Sequence, residues 1–160
     1  MDYGKKDGPE AGIFPAWSDF PKIVKDRWSL SFEDWSRASL IEMTALRDYL
    51  RVTFPTGDPG ALAQDVADTQ VHLATSNERH AAAVGYRDKA QALAERKLAF
   101  EDQIAGNAAQ RQGKGFVSDF YEEEGAWGAI SSTLQERLWS ARNEMKTFQG
   151  PEYRGAGSPT

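Results

Sequence analysis

Cysteine is absent from this 160-residue chain. A disulfide framework and a thiolate metal site are thereby excluded, and a reducing cytosol is the default setting. No apolar run is longer than a few residues, so no segment is expected to cross a membrane. The stretch from Met1 to Gly12 is charged and glycine-rich and lacks the apolar centre of a signal peptide, which gives the expectation of a cytoplasmic product. Basic charge is also short, with 19 Lys and Arg against 24 Asp and Glu and a net charge of −5. That balance leaves no global basic footprint for nucleic acid, so any DNA contact must be local.

Catalytic signatures are missing as well. The two histidines, His72 and His80, are eight positions apart. On a helix this separates them by about 80° and about 12 Å, which does not let them share a metal ion. Gly113-Lys114-Gly115 lacks the spacing of a phosphate-binding loop, and no Gly-x-Ser-x-Gly or His-Glu-x-x-His occurs. Glu122-Glu123-Glu124 has a structural reason to be where it is, as acids in the first turns of a helix. The expectation is a protein that is not an enzyme and holds no cofactor and no metal.

Proline is absent between Pro59 and Pro151, and here the chain becomes informative. Asp58-Pro59 supplies an N-cap acceptor and a proline at the first helical position. Alanine recurs up to Gly106-Asn107, so one long helix is expected over residues 58–105, with a break at Gly85 as the alternative. At ~1.5 Å per residue it would be a rod of about 70 Å, which cannot bury an apolar face alone. Val66, Leu73, Ala74 and Ala81 mark a seven-residue seam in its first half, and Tyr86, Leu93, Phe100 and Ile104 mark one in its second. These eight positions are the candidate oligomer interface.

Two further helices are expected. Ser31-Phe32-Glu33-Asp34 is a variant capping box opening a helix over 31–52, with Phe32, Trp35, Met43, Leu46 and Leu50 on one stripe. Residues 107–115 read as a polar, flexible tip. After it, Ser118 opens a helix over 118–148 whose stripe of Trp127, Ile130, Leu134, Ala141, Met145 and Phe148 can fold back on the rod. Residues 1–30 read as an extended arm, broken by Gly and Pro, in which Phe14, Trp17, Phe20 and Trp28 are the docking aromatics. Residues 149–160 read as a flexible tail. The fold class is therefore all-α, a long antiparallel, coiled-coil-like helical hairpin with an N-terminal helix and an aromatic arm reaching a neighbour.

The run Arg27-Trp28-Ser29-Leu30-Ser31-Phe32-Glu33-Asp34-Trp35, leading into Ala38, Leu40, Leu46 and Leu50, resembles the opening of some small terminase subunits of tailed bacteriophages. The resemblance covers about residues 20–105. It implies a ring-forming, non-catalytic adaptor that recognises viral DNA and stimulates the large packaging subunit, located in the cytoplasm of a host cell. The DNA contact would then fall to Lys22, Lys25, Arg27, Arg111 and Lys114. The alternative is a structural, scaffolding or inhibitory helical factor that binds proteins without DNA. Both readings imply a homo-oligomer with another viral or host protein as partner, and no membrane.

Overall fold

The computed structural model describes residues 14–148, so residues 1–13 of the expected arm and the tail expected over 149–160 lie outside the described residues. The described chain is all-helical. A 3-10 turn at Trp17–Asp19 leads into α1 (Phe20–Ile23), followed by α2 (Phe32–Arg51), α3 (Pro59–Glu101), α4 (Gly106–Phe116) and α5 (Ser118–Thr147). Among the described residues the one sheet-like pairing is an isolated bridge between Lys25 and Ser31. No described helix is long and apolar enough to cross a membrane.

Local chemistry accounts for the ends of the two main helices. The Ser31 hydroxyl accepts the backbone N–H of Asp34 at the start of α2, and the Asp58 carboxylate accepts those of Gly60 and Ala61 at the start of α3. The 43-residue α3 runs unbroken through Gly85 and is about 65 Å long. It stops before the expected Gly106-Asn107. Gln103 takes a left-handed φ of 52°, and the N–H groups of Asp102 and Ile104 both return to the Leu98 carbonyl, which closes the end of the helix. Ser118 is the first residue of α5 rather than its cap, because Val117 precedes it without a capping side chain.

The segment expected as a flexible tip is α4. It is helical because it has a helix to lean on. Gly113 faces α3 so closely that a Cβ there would lie 3.1 Å from Gln91 Nε2 and 3.5 Å from Ala94 Cβ. Gln91 Nε2 also donates to the Gln110 carbonyl at 3.1 Å. Glycine costs helix propensity, but here its missing side chain permits the approach.

Helices α3 and α5 pack along their length, with Asp65 meeting Arg137, Ser76 meeting Ser131 and Arg87 meeting Glu124, so they run in opposite directions. Helix α2 lies on both and runs parallel to α5, since Ser39 contacts Glu123 and Val52 contacts Arg137. An apolar centre forms where α1, α2, α3 and α5 meet, around Phe20, Phe32, Trp35, Tyr86, Phe120 and Trp127. Phe32 stacks on Phe120 with ring centroids 4.0 Å apart.

The other half of the bundle is joined by polar groups. Arg137 grips the Asp65 carboxylate at 2.6 and 3.2 Å and donates to the Val52 carbonyl. The Tyr49 hydroxyl shares 2.7 Å with Thr69 and lies 3.1 Å from Asp65. Ser76 and Ser131 share a buried hydrogen bond of 2.7 Å. Each buried polar group thus has a partner, as burial requires.

Candidate protein-interaction site

The chain between α1 and α2 makes a tight turn whose side chains and backbone are tied at nearly every residue. The Asp26 carboxylate accepts the N–H of Trp28 at 2.8 Å and of Leu30 at 3.0 Å. Backbone bonds from Asp26 N–H to the Leu30 carbonyl, from Ser29 N–H to the Asp26 carbonyl and from Phe32 N–H to the Val24 carbonyl close it. Ser29 holds a φ of 64°, a left-handed conformation uncommon for a residue with a Cβ. Two anchors fix the turn to α3. The Tyr86 hydroxyl donates to the Leu30 carbonyl at 2.9 Å, and Lys89 Nζ donates to the Lys25 carbonyl at 2.9 Å.

Electrostatics reinforce the turn. Burial, the largest single influence, pushes the Asp26 carboxyl up, but the N–H groups of Leu30 and Trp28, the Tyr86 hydroxyl and nearby Lys89 together bring it below its ordinary value. The Tyr86 hydroxyl is pushed well up by burial and then by the Asp26 charge, so it stays a donor throughout the working range of pH.

What the turn holds out is Trp28, 75% exposed, with the Arg27 guanidinium 5.0 Å from its ring centroid. Beside it lies a groove of about 880 Å³ whose floor is Ala81, Ala82 and Gly85 of α3. Arg79 and Glu42 bridge α3 to α2 along it with two bonds of 2.6 and 2.9 Å. A large aromatic on a rigid support thus stands next to a shallow floor of small residues, with Glu78, Arg79 and Lys89 around it.

The positions singled out from sequence fall in different places. Tyr86 is buried in the chain's own core and is withdrawn from any contact with another chain. Val66, Leu73, Leu93 and Ile104 are half-buried, Leu73 and Leu93 against that core, while Ala74, Ala81 and Phe100 are exposed. The face of α3 turned to α5 carries Leu62, Thr69, Ser76, Ala83 and Ala90, a seven-residue repeat that contains none of the positions in the two expected seams. Thr69 and Ser76 hide it from a hydrophobic count, since each is satisfied only by a residue far away in sequence.

Of the arm aromatics, Phe20 is buried, Trp17 stacks on Phe116 with centroids 4.0 Å apart, and Phe14 stacks on Phe100 at 6.1 Å. These three dock on their own chain, and Trp28 does not. Lys22, Lys25, Arg27, Arg111 and Lys114 are all exposed, the first three around α1 and the turn, the last two on α4. His72 packs on the Tyr49 ring and His80 lies against Gly128. Among the described residues no three His, Cys, Asp or Glu side chains are placed to hold a metal ion together.

Sequence reasoning missed the exposure of Trp28. The signal was present in Asp26, two residues before Trp28 and four before Leu30, an acid placed to cap a turn. Comparison with protein-family models, with curated proteins and with solved structures finds no match.

Proposed function

We propose that this chain is a non-catalytic assembly factor whose copies associate along the outer face of α3, with the Trp28 groove at the centre of the contact. The observation that carries the reading is Trp28 itself, held out of the core by a turn with its hydrogen bonds made.

The outer face of α3 suits a second copy. Ala67, Ala74, Ala81, Gly85, Ala92 and Ala99 are exposed, and their spacing is symmetric about Ala83. An antiparallel partner centred there sets small residue against small residue, so the two backbones approach closely. The same register sets Asn77 of one protomer opposite Lys89 of the other and Gln70 opposite Arg96, each twice by symmetry. It also sets Glu78 opposite Asp88, an acid pair beside Lys89. The α3 and α5 helices then act as a coiled-coil-like hairpin whose second surface is shared between copies.

A ring-forming, DNA-binding version of this assembly, implied by the resemblance to small terminase subunits, is supported by the exposure of Lys22, Lys25, Arg27, Arg111 and Lys114. The protein-only version needs none of them.

Solution mass by light scattering, measured over a range of concentrations, tests the reading. The native chain is expected to be a dimer or larger, and Ala81→Glu and Trp28→Ala are expected to shift it to monomer with unchanged helicity. A native chain that is monomeric at about 100 μM, some hundredfold above a micromolar Kd, overturns it. Adding duplex DNA at low and moderate salt separates the two versions, because phosphate contacts weaken steeply with salt.

A further inference from the structure

The α2–α5 interface is open along its length. Three hollows of about 520, 310 and 260 Å³ follow one another there. The first two share Ala126, and the second and third share Leu50, Arg51 and Thr133, so they form one groove. It reaches from Asp119 to Ser140 on α5, about 30 Å of helix. No residue of α3 lines it, which separates it from the face used for self-association above.

The floor is apolar and the walls are charged in sections. Leu40, Leu50, Ala126, Ala129 and Ile130 make the floor, and Leu40 is 56% exposed. The first hollow carries Glu33, Asp119, Glu122 and Glu123 against Arg37. The second and third carry Arg47, Arg51 and Arg137 against Glu136. Two of these groups are engaged inside the chain: Glu123 accepts from Ser36, Ser39 and Trp127, and Arg137 holds Asp65. Arg37 is shared between Glu33 and Asp34, and Arg51 has Asp48 at 3.3 Å on its own helix. What the groove offers a ligand is therefore Asp119 and Glu122, with Glu33 shared with Arg37, at one end, and Arg47, with Arg51 shared with Asp48 and Glu136 on the opposite wall, at the other.

The helix directions add a second constraint. Both α2 and α5 have their N-termini at the acidic end and their C-termini at the basic end. A third helix laid antiparallel to them opposes both macrodipoles, with its own N-terminus beside Arg47 and Arg51. Acids in its first half and bases in its second then satisfy its own dipole and the groove together. We propose that this groove binds one amphipathic helix of another protein, about 20 residues long, acidic in its first half and basic in its second, running antiparallel to α2 and α5.

The test uses two fluorescein-labelled peptides of about 20 residues with the same leucine stripe and the same composition. One has acids first and bases last; in the other the charges are mixed along the length. Fluorescence anisotropy with the full chain is expected to show the ordered peptide binding about tenfold more tightly, and the preference is expected to vanish in the Arg47→Glu/Arg51→Glu variant. Both arginines are exposed, so that variant keeps the fold and helicity of the native chain, with only a small fall in melting temperature from acids at the C-terminus of α2. Equal affinity for the two peptides, binding of neither, or a preference that survives the double substitution overturns the proposal. A double variant that changes the solution mass while the native chain ignores both peptides also overturns it, and assigns the groove to contacts between copies.

Discussion

The Tyr86 hydroxyl donates to the Leu30 carbonyl across 2.9 Å and joins the middle of the longest helix to the turn that presents Trp28. The Leu30 carbonyl also accepts the Asp26 N–H, so removing the hydroxyl leaves it with one donor. Tyr86→Phe is therefore expected to cost about 1 kcal/mol, near the mean for one hydrogen bond. Urea unfolding monitored by circular dichroism checks this, with the midpoint lowered and the slope unchanged.

Acid should loosen the same turn. The Asp26 carboxyl titrates below its ordinary value of 3.8, so its contribution is complete at pH values well above 3.8 and is lost as pH falls through the lower, folded-state value. Asp26→Asn keeps the shape of the side chain and removes the charge. It is expected to flatten the acid limb of the stability profile between about pH 4 and 2, measured by urea midpoints at each pH. A profile identical to the native one would show that Asp26 does not hold the turn.

Arg137 and Asp65 form a buried pair, each side chain 8% exposed, that joins α5 to α3. Arg137→Met strands the carboxylate beside Tyr49 and Thr69 and is expected to cost about 3 kcal/mol or more. Asp65→Leu with Arg137→Met removes both charges and should recover much of the loss. Thermal melts of the single and double variants measure the difference, and additive losses would mean that the two residues do not act as a pair.

Gly113 sets the distance between α4 and α3. The nearest neighbour of an added Cβ is the amide end of Gln91, which can move, so Gly113→Ala should be close to neutral. Gly113→Val adds branches toward Ala94 and is expected to undock α4 while the rest of the bundle stays folded. Hydrogen exchange reads this directly, as lost protection over residues 106–116 alone.

Features whose hydrogen bonds close within a few residues were legible in the sequence. Ser31 with Asp34, and Asp58 with Gly60 and Ala61, are caps three residues wide or less, and they start α2 and α3 where the pattern says they should. The glycine-rich run containing Gly113 reads as a loop because its helix depends on Gln91 and Ala94, about twenty residues earlier in the chain. The buried repeat of the long helix was missed for a related reason. Thr69 and Ser76 count as polar in any local window, yet Tyr49 and Ser131 make them interior residues.

The candidate site divides along the same line. Asp26, Trp28 and Leu30 stand close enough in sequence for the turn to be read, but a tryptophan there is more readily taken for core than for surface. Its exposure is decided by Tyr86 and Lys89, which pin the turn from α3. The sequence by itself determined that this chain is helical and where its two main helices begin, because caps and proline positions act over one turn. Which face of α3 is buried, which aromatic is left in solvent and which charges line the α2–α5 groove were decided by the tertiary structure. The partners that settle them, such as Arg137 for Asp65, lie 72 residues apart and meet only when the helices pack.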